Sequence, residues 1–438
     1  MQAVILAAGQ GRRIRSLSDS KPLLPLLGLP LIERNVRAAQ QCGVDEVIIV
    51  TGYEHERLEA WRQEFQARHA TPRLTLVYNE AWAETENGQS LAAAKDRIKG
   101  PFLLLMGDHV YTPELLRELC QHPLPEDGAV LAVDGKTGRK DIDLEDVTRV
   151  QLRGENVVAI DKGLTHFDGF DTGAFWCSPA VAEQAAQQAE AGRTRLSDTM
   201  QALADAGRLA ACRIDGAYWQ DVDTPETHRL AERGLLAWAA GKGSDGPVSR
   251  WLNRPLSRWL TGRLIHTGIT PNQVSLVAFA LGLVAAVLLA QPYYLTLLLG
   301  GLLVQFASVV DGCDGEIARL RLAPSAYGGW LDALLDRYAD AAVLGALTWH
   351  VAQTQAGATG TWLVLGLAAI AGSFVASYSA HKADRLLTRQ RWRIGRDTRS
   401  LAVMLGAVFA VPELVLALVA VTMNAVVVYR IFALRKVM

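Results

Sequence analysis

Asp311-Gly-Cys-Asp314-Gly315-Glu-Ile-Ala318-Arg319, followed by Gly328-Gly-Trp-Leu-Asp332-Ala-Leu-Leu-Asp336, places four aspartates in a stretch bounded by apolar segments of membrane length. Ionisable groups at membrane depth are costly and usually mark a site. Four carboxylates cannot stay ionised together in a low dielectric without cations among them. The pattern therefore predicts a divalent-metal site, with two ions, facing a polar substrate. Hard oxygen ligands suit Mg²⁺ or Mn²⁺. On α-helices Asp311 and Asp314 share a face, and Asp332 and Asp336 stack on one face of the next helix. Two antiparallel helices can point all four at one another. Gly315, Ala318 and Gly328 leave room for close approach, and Arg319 offers a charge to a phosphate. An ion or proton pathway through a transporter also uses membrane aspartates, so that alternative stays open here.

Six spanning segments are expected around these residues: Val274–Ala290, Tyr293–Val310, Gly329–Trp349, Thr361–Ala380, Ser400–Val411 and Leu414–Phe432. The first and fifth are short for a span of about 20 residues. The segments after spans one, three and five carry no Lys or Arg. The alternate ones hold Arg254 to Arg263, Arg319 and Arg321, Lys382 to Arg399, and Arg430 to Lys436. The positive-inside rule puts both termini, the preceding soluble part and the aspartates on the cytoplasmic side of the inner membrane. Just before the first span, Trp251, Leu252, Leu256, Trp259, Leu260 and Leu264 form one helical stripe flanked by Arg250, Arg254 and Arg258. Residues 248–268 are thus expected to lie as an amphipathic helix in the membrane interface. Pro255 predicts a kink or a helix start. The last cytoplasmic loop is basic, with Lys382, Arg385, Arg389, Arg391, Arg393, Arg396 and Arg399. Contact with anionic lipid is one use for such charge.

Residues 1–240 are mixed and charged like a soluble domain, and Gly241-Lys-Gly-Ser-Asp-Gly-Pro247 reads as a flexible linker. Over the whole chain of 438 residues the net charge is −1, which argues against nucleic acid as a partner. Five scattered cysteines without a CxxC pair suggest reduced thiols in a cytosolic setting. The first residues lack a basic segment followed by an apolar one, so no cleavable signal peptide is expected. Apolar runs at Ala3–Ala7, Glu46–Thr51, Leu74–Tyr78, Phe102–Met106 and Ala129–Val133 alternate with helical patterns such as Leu31–Cys42 and Ser90–Ile98. That alternation predicts an α/β domain with a largely parallel sheet. After the first run comes Gly9-Gln10-Gly11-Arg12-Arg13, whose glycines let backbone N–H groups approach phosphates. Asp108 ends a strand at the carboxyl edge, where ligands bind in such sheets.

The spacing D-x2-D-G-x2-A-R-x8-G-x3-D-x3-D is complete from Asp311 to Asp336, eight identities over 26 positions. It resembles the signature of the CDP-alcohol phosphotransferases, six-helix membrane enzymes that displace CMP from a CDP-alcohol with an acceptor hydroxyl. The resemblance implies that Asp311, Asp314 and Asp332 ligate the metals, and that Asp336 is the general base and also touches metal. It gives Gly315, Ala318 and Arg319 to the cytidine diphosphate and Arg396 and Arg399 to an acceptor phosphate. It also implies a homodimer through the membrane part.

The earlier residues Leu6-Ala7-Ala8-Gly9-Gln10-Gly11-Arg12-Arg13, Lys21-Pro22-Leu23-Leu24, Gly28-Leu29-Pro30-Leu31-Ile32, Gly107-Asp108-His109, Asp171-Thr172-Gly173 and Asp221-Val222-Asp223 resemble the sugar-nucleotidyltransferases. By that resemblance Gly9, Gly11, Arg13 and Lys21 bind the triphosphate, with Arg13 and Lys21 catalytic. Arg12 fills a variable position of the same loop. Asp108 with Asp221 or Asp223 holds at least one Mg²⁺. Lys162, Asp171 and Gly173 meet the incoming phosphate substrate, and Gly88 and Ser90 resemble a substrate-loop position.

End to end, the chain resembles bifunctional enzymes that make CDP-inositol from CTP and inositol-1-phosphate and then join it to a second inositol phosphate. The expected fold class is an α/β nucleotidyltransferase domain with a Rossmann-like mixed sheet (1–240), a linker (241–247), the interfacial helix (248–268) and an all-α six-helix transmembrane domain (269–438). The expected partners are CTP, a polyol phosphate, the CDP-alcohol and membrane lipids. Two alternatives remain: another CDP-polyol with a lipid acceptor, and a nucleotide-sensing transporter.

Overall fold

The computed structural model describes residues 1–139, 142, 144, 146–214, 216–241, 246–355, 357–383 and 395–435. Lys242 to Asp245 of the expected linker, Arg385, Arg389, Arg391 and Arg393 of the basic loop, and Lys436 lie outside the described residues, as does the side chain of Lys382. The chain divides into two compact units, Met1–Leu235 and Leu236–Met438.

The first unit carries strands β1 (Gln2–Ala7), β2 (Pro25–Leu26), β3 (Leu29–Pro30), β4 (Glu46–Thr51), β5 (Arg73–Tyr78), β6 (Phe102–Met106) and β7 (His109–Tyr111). They are followed by β8 (Ala129–Asp134), β9 (Arg149–Arg153), β10 (Asn156–Asp161), β11 (Gly169–Cys177), β12 (Leu209–Arg213) and β13 (Trp219–Asp221). Its helices are α1 (Leu31–Gln40), α2 (His55–Arg68), α3 (Asn87–Ala93), α4 (Pro113–Gln121), α5 (Ala180–Glu190) and α6 (Leu196–Asp205), and α7 (Pro225–Ala240) runs across the unit boundary. Nine strands form one sheet in the order β5-β4-β1-β6-β11-β8-β12-β10-β9. The expected parallel character holds for β5-β4-β1-β6. Beyond β6 the sheet is mixed, because β11 runs antiparallel to both β6 and β8. The short β9–β10 connection likewise permits only an antiparallel pair. Every residue of β1, β6 and β8 is buried, so these strands read as continuous apolar runs, covered on both faces. Because β1 and β6 are parallel neighbours, the loops after them open at the same carboxyl edge.

The second unit is helical. A π-helical turn, Ser249–Asn253, leads into α8 (Arg254–Leu264), with Pro255 in its first turn, where the missing N–H costs nothing. Then follow α9 (Pro271–Leu289), α10 (Tyr294–Leu320), α11 (Ala326–Thr354), α12 (Thr359–Ala383), α13 (Arg396–Val408) and α14 (Pro412–Arg435). Thr270 and Gln273 close a capping box on α9, and Ser325 Oγ caps α11 by accepting from Gly328 N at 2.8 Å. Among the described residues, four helices are long and apolar enough to cross a membrane: α9, α10, α12 and α14. The other two expected spans fall short of that description for different reasons. Asp332, Asp336, Arg337 and Asp340 crowd the first half of α11, and α13 has 13 residues.

α10 packs on α9, α13 and α8, α11 on α9 and α12, and α12 on α14. Leu297, Leu344, Leu347, Leu416 and Met423 belong to the shared core. A Cβ at Gly301 would meet Ala407 Cβ at 2.4 Å, so α10 and α13 approach over a bare backbone. α8 is inverted relative to a soluble helix. Across it and the preceding turn, the polar residues Asn253, Ser257 and Thr261 are buried, whereas Trp251, Leu256 and Trp259 are 80%, 49% and 61% exposed. Tryptophan outward and hydroxyl inward reverses the polarity of an ordinary water-facing helix.

Candidate active sites

In the first unit, the chain leaves β1 at Ala7 and turns at Gly11, which sits at φ +60°. A Cβ there would lie 2.6 Å from Lys21 Cβ, so the glycine allows both the turn and the close passage of Lys21. Lys21, nearly buried, donates from Nζ to Asp108 Oδ2 at 2.7 Å and also to Asp223. Asp108 follows β6. Asp221 and Asp223 reach it because β13 pairs with β7, setting Asp221 opposite His109, and Val222 N donates to Asp108 O at 2.9 Å. Arg13 donates to Asp146 Oδ2 at 2.6 Å and to Asp223, and Lys162 donates to Asp146.

These contacts set the protonation states. Burial works against the Asp108 carboxylate, but the Lys21 charge and a hydrogen bond with His109 Nδ1 (2.8 Å) hold its pKa well below the ordinary value. Burial would neutralise His109, yet its bond to Asp108 raises its pKa. Burial raises Asp221, and the nearby Asp223 and Asp108 charges add to this. Asp171, pushed up by burial to about 6, accepts from Gly173 N at 2.7 Å.

Two chambers meet at this centre. One is lined by Gly9, Gly11, Arg12, Arg13 and Lys21, the other by Lys162, Asp171, Gly173, Arg195 and Trp219. Asn87, Asp108 and Asp223 line both. Two ligands held in these chambers would face each other across Asp108 and Asp223. The structure thus brings together the expected residues of the soluble site apart from Gly88 and Ser90, with Asp221 in the second chamber and Asp223 at the shared wall. Arg12 lies in the first chamber with its Nε donating to Gln10 Oε1 at 2.6 Å. Ser90 is held by Asn79 Nδ2 at 3.1 Å, and Gly88 N donates to Thr194 O at 2.8 Å. Their helix, α3, reaches the chambers through its first residue, Asn87. Asp146 and His109 had no assigned role in the sequence. Asp146 lies in no motif of the sequence, and His109 stands beside Asp108 in Gly107-Asp108-His109.

In the second unit, ligand oxygens of Asp311, Asp332 and Asp336 lie within 4.8 Å of one another, the sole group of that kind among the described residues. This spacing and this hard-oxygen donor set fit a divalent ion. Asp314 stands apart from that group. One of its oxygens accepts from Ser275 Oγ of α9 at 2.5 Å and the other from Gly315 N. Arg396, at the start of α13, donates to Asp311 Oδ2 at 2.9 Å and to Asp336, and Arg399 donates to Asp340 Oδ2 at 2.6 Å. Arg319 Nε donates to Ala239 O at 2.6 Å. A Cβ on Gly315 would meet Arg319 Nη1 at 3.2 Å, and one on Gly328 would meet Ser325 Oγ at 2.9 Å. Ala318 follows one turn after Asp314 on α10.

Glu316 was not anticipated. It is 1% exposed and accepts from Ser257 Oγ (2.5 Å), Thr261 Oγ1 (2.7 Å) and Arg254 Nη1 (3.1 Å), fastening α8 to α10. The signature leaves its position variable, so only the hydroxyls spaced four apart on α8 could have revealed it.

Residues 3–231 match the family model of the MobA-like NTP transferase domain, and residues 268–435 match that of CDP-alcohol phosphatidyltransferase. A bifunctional IPC transferase and DIPP synthase of Rubrobacter xylanophilus is 38% identical over 444 residues, covering 99% of this chain and 96% of its own. Its counterpart in Aquifex aeolicus is 33% identical over 448 residues, covering 99% and 98%. The structure of the inositol-1-phosphate CTP transferase from T. maritima covers 53% of this chain and 95% of its own, at 22% identity and a TM-score of 0.47. With both family models matched in tandem and these relatives aligned almost end to end, the chain belongs to the family of bifunctional IPC transferases and DIPP synthases.

Proposed function

We propose that this protein performs two successive transfers in a cell membrane. The first unit joins CTP and inositol-1-phosphate into CDP-inositol and pyrophosphate. The second passes the phosphoinositol group to a hydroxyl of another inositol phosphate and releases CMP. The observation that carries this reading is the convergence of Asp311, Asp332 and Asp336 within 4.8 Å, beside two arginines, on a chain that also holds a two-chambered nucleotide site.

In the first reaction the acceptor phosphate oxygen attacks the α-phosphorus of CTP and the bond to the β,γ-pyrophosphate breaks. Lys21 and Arg13 counter the charge on the transferring centre, and the chambers hold the reactants in line. Asp108 with Asp221 or Asp223 would hold Mg²⁺ there. Lys162 and Asp171 would contact the incoming substrate.

In the second reaction the acceptor hydroxyl attacks the phosphorus bearing the inositol, and the bond to CMP breaks. Asp336 takes the hydroxyl proton. Asp311, Asp332 and Asp336, with Asp314 on the same helix face, would hold two Mg²⁺ or Mn²⁺ ions. Bound there, such ions neutralise diphosphate charge and favour an in-line displacement. Gly315, Ala318 and Arg319 would contact the cytidine diphosphate, and Arg396 and Arg399 the acceptor's phosphate. All six helices α9–α14 would then form the membrane part, with the first unit, both termini and the aspartates on the cytoplasmic side, as the distribution of Lys and Arg supports.

Membranes containing the protein are to be incubated with CTP, Mg²⁺ and radiolabelled inositol-1-phosphate. A water-soluble labelled diester with release of pyrophosphate and CMP is expected. Label extracted into organic solvent would replace the acceptor with a lipid, and absence of CMP would reject the transfer reaction.

A further inference from the structure

We propose that Asp340 is a positioning residue for the second transfer: it anchors Arg399 and acts as a pivot for Arg396, which moves between the Asp311–Asp336 carboxylates and the phosphate of the acceptor. The proposal rests on the reading of the second site given above. Asp340 lies one turn beyond Asp336 on α11, outside the eight-residue signature. Its side chain is 11% exposed. Oδ2 accepts from Arg399 Nη2 at 2.6 Å, and Oδ1 lies 3.6 Å from Arg396 Nε. Arg337 Nη2 is farther, at 3.9 Å from Oδ2.

Arg396 is therefore flanked by carboxylates on two sides, hydrogen-bonded on one and in a longer ion pair on the other. Its Nε edge faces Asp340, while Nη1 donates to Asp311 Oδ2 at 2.9 Å and to Asp336. The same two carboxylates are the ones a divalent ion would engage. Once their charge is so compensated, Nη1 loses most of its attraction to them, but the Nε edge keeps its neighbour. A guanidinium turning on Asp340 can offer its fork to a phosphate monoester dianion, the strongest oxyanion the acceptor brings. Arg399, buried and tied to Asp340, would meet that phosphate from a fixed position instead.

The start of α13 is itself fixed. Asp397 Oδ1 accepts from Asn253 Nδ2 at 2.9 Å and from Ser308 Oγ at 3.0 Å. The motion is thus confined to the Arg396 side chain. A purely structural ion pair would predict no selectivity between the two substrates. A pivot predicts selectivity for the phosphorylated acceptor and a competition with metal.

The test uses the full chain in detergent, with CMP release measured against each substrate and Mn²⁺ binding to substrate-free protein measured by electron paramagnetic resonance. Asp340→Asn is expected to raise the KM for inositol phosphate about tenfold, the scale of one misplaced charge-assisted contact. The KM for CDP-inositol should stay within about twofold. Mn²⁺ should bind about threefold more weakly, because an unshared Arg396 competes harder for Asp311 and Asp336. Asp340→Glu should restore most of the acceptor KM. Equal changes in both KM values, a change in kcat alone, or unaltered Mn²⁺ binding would overturn the proposal. Should Asp340→Asn not yield folded protein, Asp340→Ser is measured instead, with the same selective rise in acceptor KM and weaker Mn²⁺ binding expected and the absence of either counting against the pivot. If the unaltered protein releases no CMP, the reading of the site fails rather than the role of Asp340.

Discussion

Replacing Glu316 by Ala is expected to loosen α8 from the helical unit. The carboxylate is 1% exposed and receives Ser257, Thr261 and Arg254 at 2.5, 2.7 and 3.1 Å. Removing one partner of a buried ion pair costs about 3–5 kcal/mol, mostly because the other charge is left uncompensated. Arg254, with a side chain 14% exposed, can reach some water, which favours the low end of that range. A buried hydroxyl left without an acceptor adds about 1 kcal/mol. Ser257 Oγ already reaches Arg254 O at 3.4 Å and can exchange partners, so the addition comes mainly from Thr261. The sum, about 3–4 kcal/mol, makes detachment of α8 two to three orders of magnitude more populated, at about 1.4 kcal/mol per decade. Trypsin in detergent micelles reads this directly, since cleavage at the exposed Arg258 and Arg263 tracks the opened population when closing is fast. Cleavage should accelerate about 100- to 1000-fold in Glu316→Ala and less in Glu316→Gln, which keeps an acceptor. A rate within threefold of the unaltered protein would refute the idea that this carboxylate docks the helix.

Asp336→Asn should abolish CMP release while pyrophosphate release continues, and Asp108→Asn should do the reverse when CDP-inositol is supplied. Loss of both partial reactions in either variant, with the protein folded, would count against independent sites. Gly173 sits at φ +73°, and a Cβ there would lie 2.7 Å from Met106 Cγ. Gly173→Ala should destabilise the first unit by about 1–3 kcal/mol, read by thermal unfolding, and depress pyrophosphate release. The Asp171 carboxyl, raised from 3.8 to about 6, takes up protons more readily in the folded chain than in the unfolded one. Its contribution is therefore fully present below about pH 4 and is lost as the pH rises through about 6. Asp171→Asn should flatten the stability profile of the first unit over that window, and an unchanged slope would contradict the shift.

Much of this arrangement was legible in the chain. Glu46–Thr51 and Phe102–Met106 are strands with the bounds their apolar runs suggest. Helical periodicity also stacked Asp332 over Asp336. Antiparallel β11 was harder to foresee. Its run, Gly169 to Cys177, carries two glycines and an aspartate, and its place between β6 and β8 is a long-range choice that no local pattern records. The span count shows another limit. Hydropathy weighs α11 by its charges, although the charges are what the fold gathers there. Asp146 and Glu316 escaped notice because a carboxylate is informative only once its donors are known, and theirs come from residues up to 133 positions away.

The inward serine and threonine of α8 have a consequence for insertion depth. Glu316 sits five residues past Asp311 on one continuous helix, about 7.5 Å along its axis. Tryptophans prefer the headgroup level. Wherever that level settles against Trp251 and Trp259, Glu316 carries the setting to α10. Under the proposed membrane arrangement, Asp311, Asp332 and Asp336 would thereby stay near the aqueous boundary in thick and thin bilayers alike.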